Sequence, residues 1–306
     1  MQKLSLHALN RVFASLDAVR NGPALYALLS SFCFAGLLLA MAEAALARSD
    51  GAWGLVWGVG AVLVAFYGVN LTGLLLMDQA LGRPIRDVQD AMPVALGAAA
   101  RVLVNLLLLL LGAALVLGLL LAALWLVRLP GVGLYWFTLL VPAGVLLLGV
   151  AALAVTVLVG PLTGPSIWAD QGVENTLRMH GRLLRHRLLE AAVLMAGVLA
   201  LTALVSAMVS FVVMAGGRSM ALISPWAAGV QVPPQQFMAG LFGYGLRALG
   251  SAGAPVTVTP AGQAAMVGGG AVFALALVLP ALIYLRGCCA VYLALNATPW
   301  NEQEGV

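Results

Sequence analysis

Charge is what this chain has least of. Only 8% of its residues are Asp, Glu, Lys or Arg, against about a quarter in a soluble domain. With 63% of residues hydrophobic, no water-soluble fold can hide the apolar surface, so most of the surroundings must be hydrocarbon. Cysteine is scarce too: Cys33 lies in an apolar run, and Cys288 adjoins Cys289. That excludes a disulfide framework and a CxxC metal or redox motif, and the three thiols read as small buried hydrophobes. Histidine is limited to His7, His180 and His186, all in polar stretches. No imidazole is therefore placed to act as base or metal ligand within an apolar run. HExxH, a Walker loop ending in GK[ST] and GxSxG are all missing. An enzyme is the weakest of the available readings, and no cofactor or metal is expected. The start, MQKLSLHALNRVFASLDAVRNGP, is polar and amphipathic and lacks the apolar core of a cleavable signal peptide.

What the chain does have is long apolar runs. A bilayer crossing takes about 20 mostly apolar residues. Runs at 24–47, 53–77, 102–127, 133–160, 189–214 and 264–285 meet that length. They predict an all-α, polytopic membrane helical bundle of six transmembrane helices, forming one integral membrane domain over 1–306. Connections at 48–51 and 128–132 are short enough for tight hairpins. The others, at 78–101, 161–188 and 215–263, are longer.

The few positive charges are unevenly shared. One side receives Lys3, Arg11, Arg20, Arg83, Arg86, Arg101, Arg178, Arg182, Arg185 and Arg187, with Arg286 closing the last span. The other receives Arg48, Arg128, Arg218 and Arg247. Because the Lys/Arg-rich loops stay cytoplasmic, both termini are predicted inside a bacterial inner membrane.

Both longer inner connections pattern as interfacial amphipathic helices. In the first, Ile85, Val88, Met92 and Leu96 recur at near-helical spacing. In the second, Arg178, Arg182 and Arg185 are spaced i, i+4, i+7, with Leu183, Leu184 and Leu188 turned away. Arg83, Arg86, Arg178, Arg182, Arg185 and Arg187 are the candidate contacts to anionic headgroups, each worth about 1 kcal/mol at the surface. His180 and His186 read as part of the polar surface. No aromatics interleave the basic block, so nucleic acid is not an expected partner. Membrane lipid and another membrane protein are. "TGLLLMDQ" and "TGPSIWADQ" suggest a weak internal repeat, with Asp78 and Asp170 at watery helix mouths.

Within the spans the polar candidates are Glu43, Asn70 and Asn105. Asparagine there usually bonds to a neighbouring helix; Glu43 falls near the outer end of its span, within reach of water. Gly54 and Gly58 form a small-xxx-small packing pair, and Pro142 and Pro280 predict kinks. In the outer loop, a short surface helix is predicted after Pro233 and Pro234.

The segments GRPIRDVQDAMPVALGAAARVLVNLLLLLL, LVRLPGVGLYWFTLLVP and DQGVENTLRMHGRLLRHRLLEAA together resemble the YciC-type bacterial inner-membrane proteins. They are similar also to the membrane domain attached to some glycerophosphodiester phosphodiesterases. Gly82–Arg83, Pro130–Gly131 and Gly172 to Leu183 occupy the positions of that layout, and ALIYLRGCCAVYLAL is similar to its closing helix. His180 stands where the pattern often has serine. The resemblance, over about residues 24–296, implies a six-span bundle without established catalytic residues, associated with lipid or envelope maintenance. The function expected is a non-enzymatic scaffold or accessory subunit contacting lipid or another membrane protein. The alternative is a small transporter or channel whose path uses Glu43, Asn70, Asn105 and the proline kinks. A polar cavity at the midplane would mark the transporter, and a tightly packed bundle the scaffold.

Overall fold

A computed structural model of the chain describes residues 13–47, 49–128, 133–229 and 260–297. Among these there are no strands. A 3-10 turn at Ala14–Arg20 leads into α1 (Gly22–Ala47) and α2 (Gly51–Ala80). There follow α3 (Val88–Trp125), α4 (Gly133–Leu153), α5 (Gly160–Trp168), α6 (Val173–His186), α7 (Leu188–Ala228) and α8 (Pro260–Ala297). Six stretches are long and apolar enough to cross a membrane: Gly22–Ala42, Gly51–Ala80, Val88–Arg128, Gly133–Trp168, Leu188–Ala227 and Ala271–Asn296. The protein is an all-α polytopic bundle.

Local chemistry accounts for the helix starts. The Asn21 carboxamide accepts from Ala24 N at 3.0 Å and opens α1. The Asp50 carboxylate accepts from Trp53 N at 3.4 Å and opens α2. Such side-chain caps satisfy backbone donors that no preceding turn can reach. At the end of α2 the chain reverses through Gly82, at φ +67°, a conformation that suits a residue without Cβ. The fourth span runs through α4 and α5 without interruption because a π-helical segment, Ala154–Val159, joins them. Pro161, just inside α5, has no N–H to offer the ladder, and the wide turn absorbs that loss. Gly160 donates to Val155 O there, and a Cβ at 160 would lie only 2.8 Å from that oxygen.

Burial is concentrated at one end. Leu28, Leu75, Leu76, Met77, Leu158, Leu162, Ile167, Leu194, Met195 and Leu282 have almost no exposure, and all belong to one cluster. Hydrogen bonds described below tie that cluster to the arginine-bearing segments. Further along the same helices the apolar side chains stand free, with Leu134 at 78%, Phe211 at 75% and Leu222 at 79% exposure. In water such surface would drive aggregation; in a bilayer it is solvated by acyl chains. Exposed Trp53, Trp125, Trp136 and Trp226 ring the loosely packed end, as interfacial tryptophans do at headgroup level.

Several expectations need correction. The segment after Arg86 is no separate surface helix: α3 runs unbroken from Val88 through the span. Its inward stripe is Ala91, Ala95, Ala98, Ala99, Val102 and Asn105, while Met92 and Leu96 point outward. Residues 215–228 are not loop but the continuation of α7, whose 41 residues reach about 60 Å at 1.5 Å per residue. The last span continues to Asn296, so Arg286 lies inside it and not at its end. Cys33 is exposed, whereas Cys288 and Cys289 are buried as expected. Gly54 packs against Leu46, but Gly58 has nothing within 4 Å, so only half the small-xxx-small pair forms a contact. The surface helix expected after Pro234 lies outside the described residues, as does the Glu43 side chain; the Glu43 backbone belongs to α1.

Candidate functional site at the arginine-rich end

Four ties hold this end together, and three of them join elements far apart in sequence. Asn21 Nδ2 donates to Leu75 O at 3.1 Å and to Gln79 Oε1 at 3.3 Å, while Gln79 Nε2 donates to Asp17 O at 3.0 Å. The 3-10 turn and the start of α1 are thereby fastened to the end of α2. Arg86 pairs with Asp78: its Nη2 donates to Oδ1 at 3.0 Å, and its Nε lies 2.9 Å from Oδ2 as an ion-pair contact without a hydrogen bond. Arg101 Nη1 meets Asp170 Oδ1 at 3.3 Å, linking α3 to the turn after α5. Arg187 Nη1 donates to Leu295 O at 3.0 Å. Leu295 lies in the final turn of α8, where carbonyls have no partner further along the helix. The guanidinium is a charge suited to that negative end of the dipole.

These ties revise the list of headgroup contacts. Arg187 is 4% exposed and serves the protein interior. It occupies the break between α6 and α7, at φ −132°, so it drops out of the polar stripe of its neighbours. Arg86 is committed to Asp78, which is itself buried and not bathed in water. Arg83, Arg178, Arg182 and Arg185 are exposed. On α6, Thr176, His180 and Leu183 form the buried face, and Arg178, Arg182 and Arg185 the outer one; Arg178 pairs with Glu174 one turn earlier. Leu183 therefore packs on protein, not on acyl chains. The two "TG…DQ" segments differ in role. Asp78 is helical and buried, whereas Asp170 is exposed at φ +66°.

His180, expected on the surface, is buried at 3% exposure, and neither ring nitrogen has a hydrogen-bond partner. Desolvation pushes its pKa down from 6.5 to about 4, so the ring is neutral at pH 7. Unfolded, the imidazole regains its ordinary affinity for protons. The unfolded state thus binds more protons between those two values, and folding stability falls as pH drops from about 6.5 toward about 4. At about 1.4 kcal/mol per pH unit, the loss reaches about 3 kcal/mol. Denaturation of the detergent-solubilised protein at pH 7.5 and pH 4.5 should reveal this, with a His180→Leu variant showing a smaller acid loss. Equal losses in the two proteins would remove His180 from the explanation.

Deeper in the bundle, Asn70 is used structurally. Its Nδ2 donates to Phe66 O at 2.9 Å, and its Oδ1 accepts from Trp168 Nε1 at 3.1 Å, joining α2 to α5. Gly73 lies so close that any Cβ there would overlap the Trp168 indole. Asn105 is fully buried, and its amide has no hydrogen-bond partner. Asn70 and Asn105 share no hydrogen bond. A cavity lies at the arginine-rich end. It has a volume of about 460 Å3 and is lined by Ala14, Ala80, Leu81, Arg286, Ala290, Leu293 and Asn296. Sequence reading places Arg286 at the end of a span and so gives no sign of this cavity. The apolar CCAVYLAL that continues past Arg286 was the signal to extend the helix.

No family model, curated protein or solved structure matches the chain.

Proposed function

We propose that this membrane protein is a non-enzymatic scaffold or accessory subunit whose arginine-rich face engages anionic lipid headgroups, or a membrane protein presenting them, on the cytoplasmic side of a bacterial inner membrane. The observation that carries the reading is the division of labour on α6. One face is packed into the bundle through Thr176, His180 and Leu183, and the other holds Arg178, Arg182 and Arg185 outward. A helix so held presents its cations on a fixed surface. The proposed kinship with YciC-type proteins agrees with this role. A transport path has less in its favour, since Asn70 is occupied by Trp168; among the described residues, the unpartnered amide of Asn105 speaks for it.

The test replaces Arg178, Arg182 and Arg185 together with glutamine and leaves Arg187 in place. At about 1 kcal/mol per exposed arginine, preference for anionic over zwitterionic lipid should fall by up to about a hundredfold, with thermal stability little changed. Lipid competition on the protein in nanodiscs measures this. An unaltered preference would refute the headgroup role.

A further inference from the structure

We propose that the 460 Å3 cavity at the arginine-rich end binds a phosphate ester, with the Arg286 guanidinium as its anchor. The inference rests on the lipid-facing reading above and gives it a defined site. Arginine inside a membrane span is costly and is normally paired or turned to a cavity. Arg286 has only the second. Among the described residues it forms no ion pair within 4 Å, and its Nε is buried without a hydrogen-bond partner. Asp17, on the 3-10 turn packed against α8, is paired with Arg20 at 3.6 Å. The cation therefore retains unspent hydrogen-bonding capacity facing an open space.

The rest of the lining fits the same ligand. Arg286, Ala290, Leu293 and Asn296 fall at i, i+4, i+7 and i+10, along one face of α8. The face thus offers a planar, forked donor suited to two phosphate oxygens. Next come small and apolar walls, then a carboxamide near the helix end. Ala80 and Leu81 close the opposite side and Ala14 the third. The volume lies within the range of sites for small ligands, about 300–1,000 Å3, and is ample for a glycerophosphate group. Beside it the 3-10 turn exposes Phe13, Leu16 and Val19, so a lipid whose headgroup entered here would find apolar surface for its chains. The shared chemistry is the phosphate ester, whether it arrives on a phospholipid or free in solution.

The experiment uses the full chain, delipidated in mild detergent, with native mass spectrometry and thermal-shift titration. Four probes are compared: dihexanoyl phosphatidylglycerol, dihexanoylglycerol, glycerol 3-phosphate and inorganic phosphate. Saturable binding of one phosphatidylglycerol per chain is expected, with dihexanoylglycerol at least tenfold weaker. Arg286→Gln should weaken the phosphate-bearing probe at least tenfold. Leu293→Trp, which narrows the cavity and keeps the cation, should do the same. Equal binding of glycerol 3-phosphate or inorganic phosphate would support the site and assign it a soluble ligand. Unchanged binding in both variants, equal binding of dihexanoylglycerol, or no saturable binding of any probe would overturn the proposal. The Arg178, Arg182 and Arg185 replacement should leave this stoichiometric binding intact, so the surface role and the cavity can fail separately.

Discussion

Arg86→Gln is expected to destabilise the protein by about 2–4 kcal/mol, although Arg86 itself is partly exposed. The cost arises at its partner. Asp78 keeps only 3% side-chain exposure, and the Arg86 guanidinium supplies both the hydrogen bond to Oδ1 and the compensating charge beside Oδ2. Removing one member of a buried ion pair leaves an uncompensated charge, a loss of about 3–5 kcal/mol when the pair is fully enclosed. The half-open side of Arg86 admits water and reduces that figure. Arg86→Lys should keep part of the stability, because the point charge of an ammonium still compensates the carboxylate but does not reproduce the planar guanidinium's reach to both oxygens. Pairing Asp78→Asn with Arg86→Gln should recover at least half of the loss, because neither charge is then buried alone. Reversible unfolding in mixed micelles measures all four proteins. If Arg86→Gln unfolds like the parent, the tie between α2 and the start of α3 contributes nothing.

Trp168→Ala should be the most damaging single change, at about 3–5 kcal/mol by the measure of buried aromatic truncations. The indole fills the space between α2 and α5, lies against Gly73, and donates to Asn70 Oδ1. Its loss opens a cavity and strips a buried acceptor of its donor at once. Trp168→Phe preserves most of the packing and should cost about 1–2 kcal/mol for the unpaired amide oxygen. The close approach has a distinctive signature in a double-mutant cycle. Gly73→Ala should destabilise the parent, because a Cβ there overlaps the indole, and should be nearly neutral in the Trp168→Ala background. Additive effects of the two changes would contradict the packing described for these helices.

The apolar runs were long enough to reveal six crossings, and the skewed arginines to mark which helix ends gather together. Hydropathy reads the solvent of a segment, which is why those features were legible. It does not read what a polar group touches. Arg187 belongs by composition with Arg178, Arg182 and Arg185, yet the backbone break after His186 turns it inward to Leu295. Asp78 and Arg86 are eight residues apart, but the Gly82 reversal ends the helix between them, so helical periodicity cannot pair them. His180 sits among arginines and was assigned their exposure, although its place at i+4 from Thr176 puts it on the buried face. Arg286 misled most, since a charge read as the end of a span instead lines a cavity inside one.

The central claim, a bundle that crosses the bilayer with its arginine-bearing elements at one boundary, is open to direct measurement. Single cysteines at Glu174 on α6 and at Ala227 near the far end of α7, both exposed positions, would be introduced into a chain free of its own three thiols. Sealed vesicles would then be treated from either side with a membrane-impermeant maleimide. The account predicts that the two positions react from opposite sides; reaction of both from the same side would contradict it.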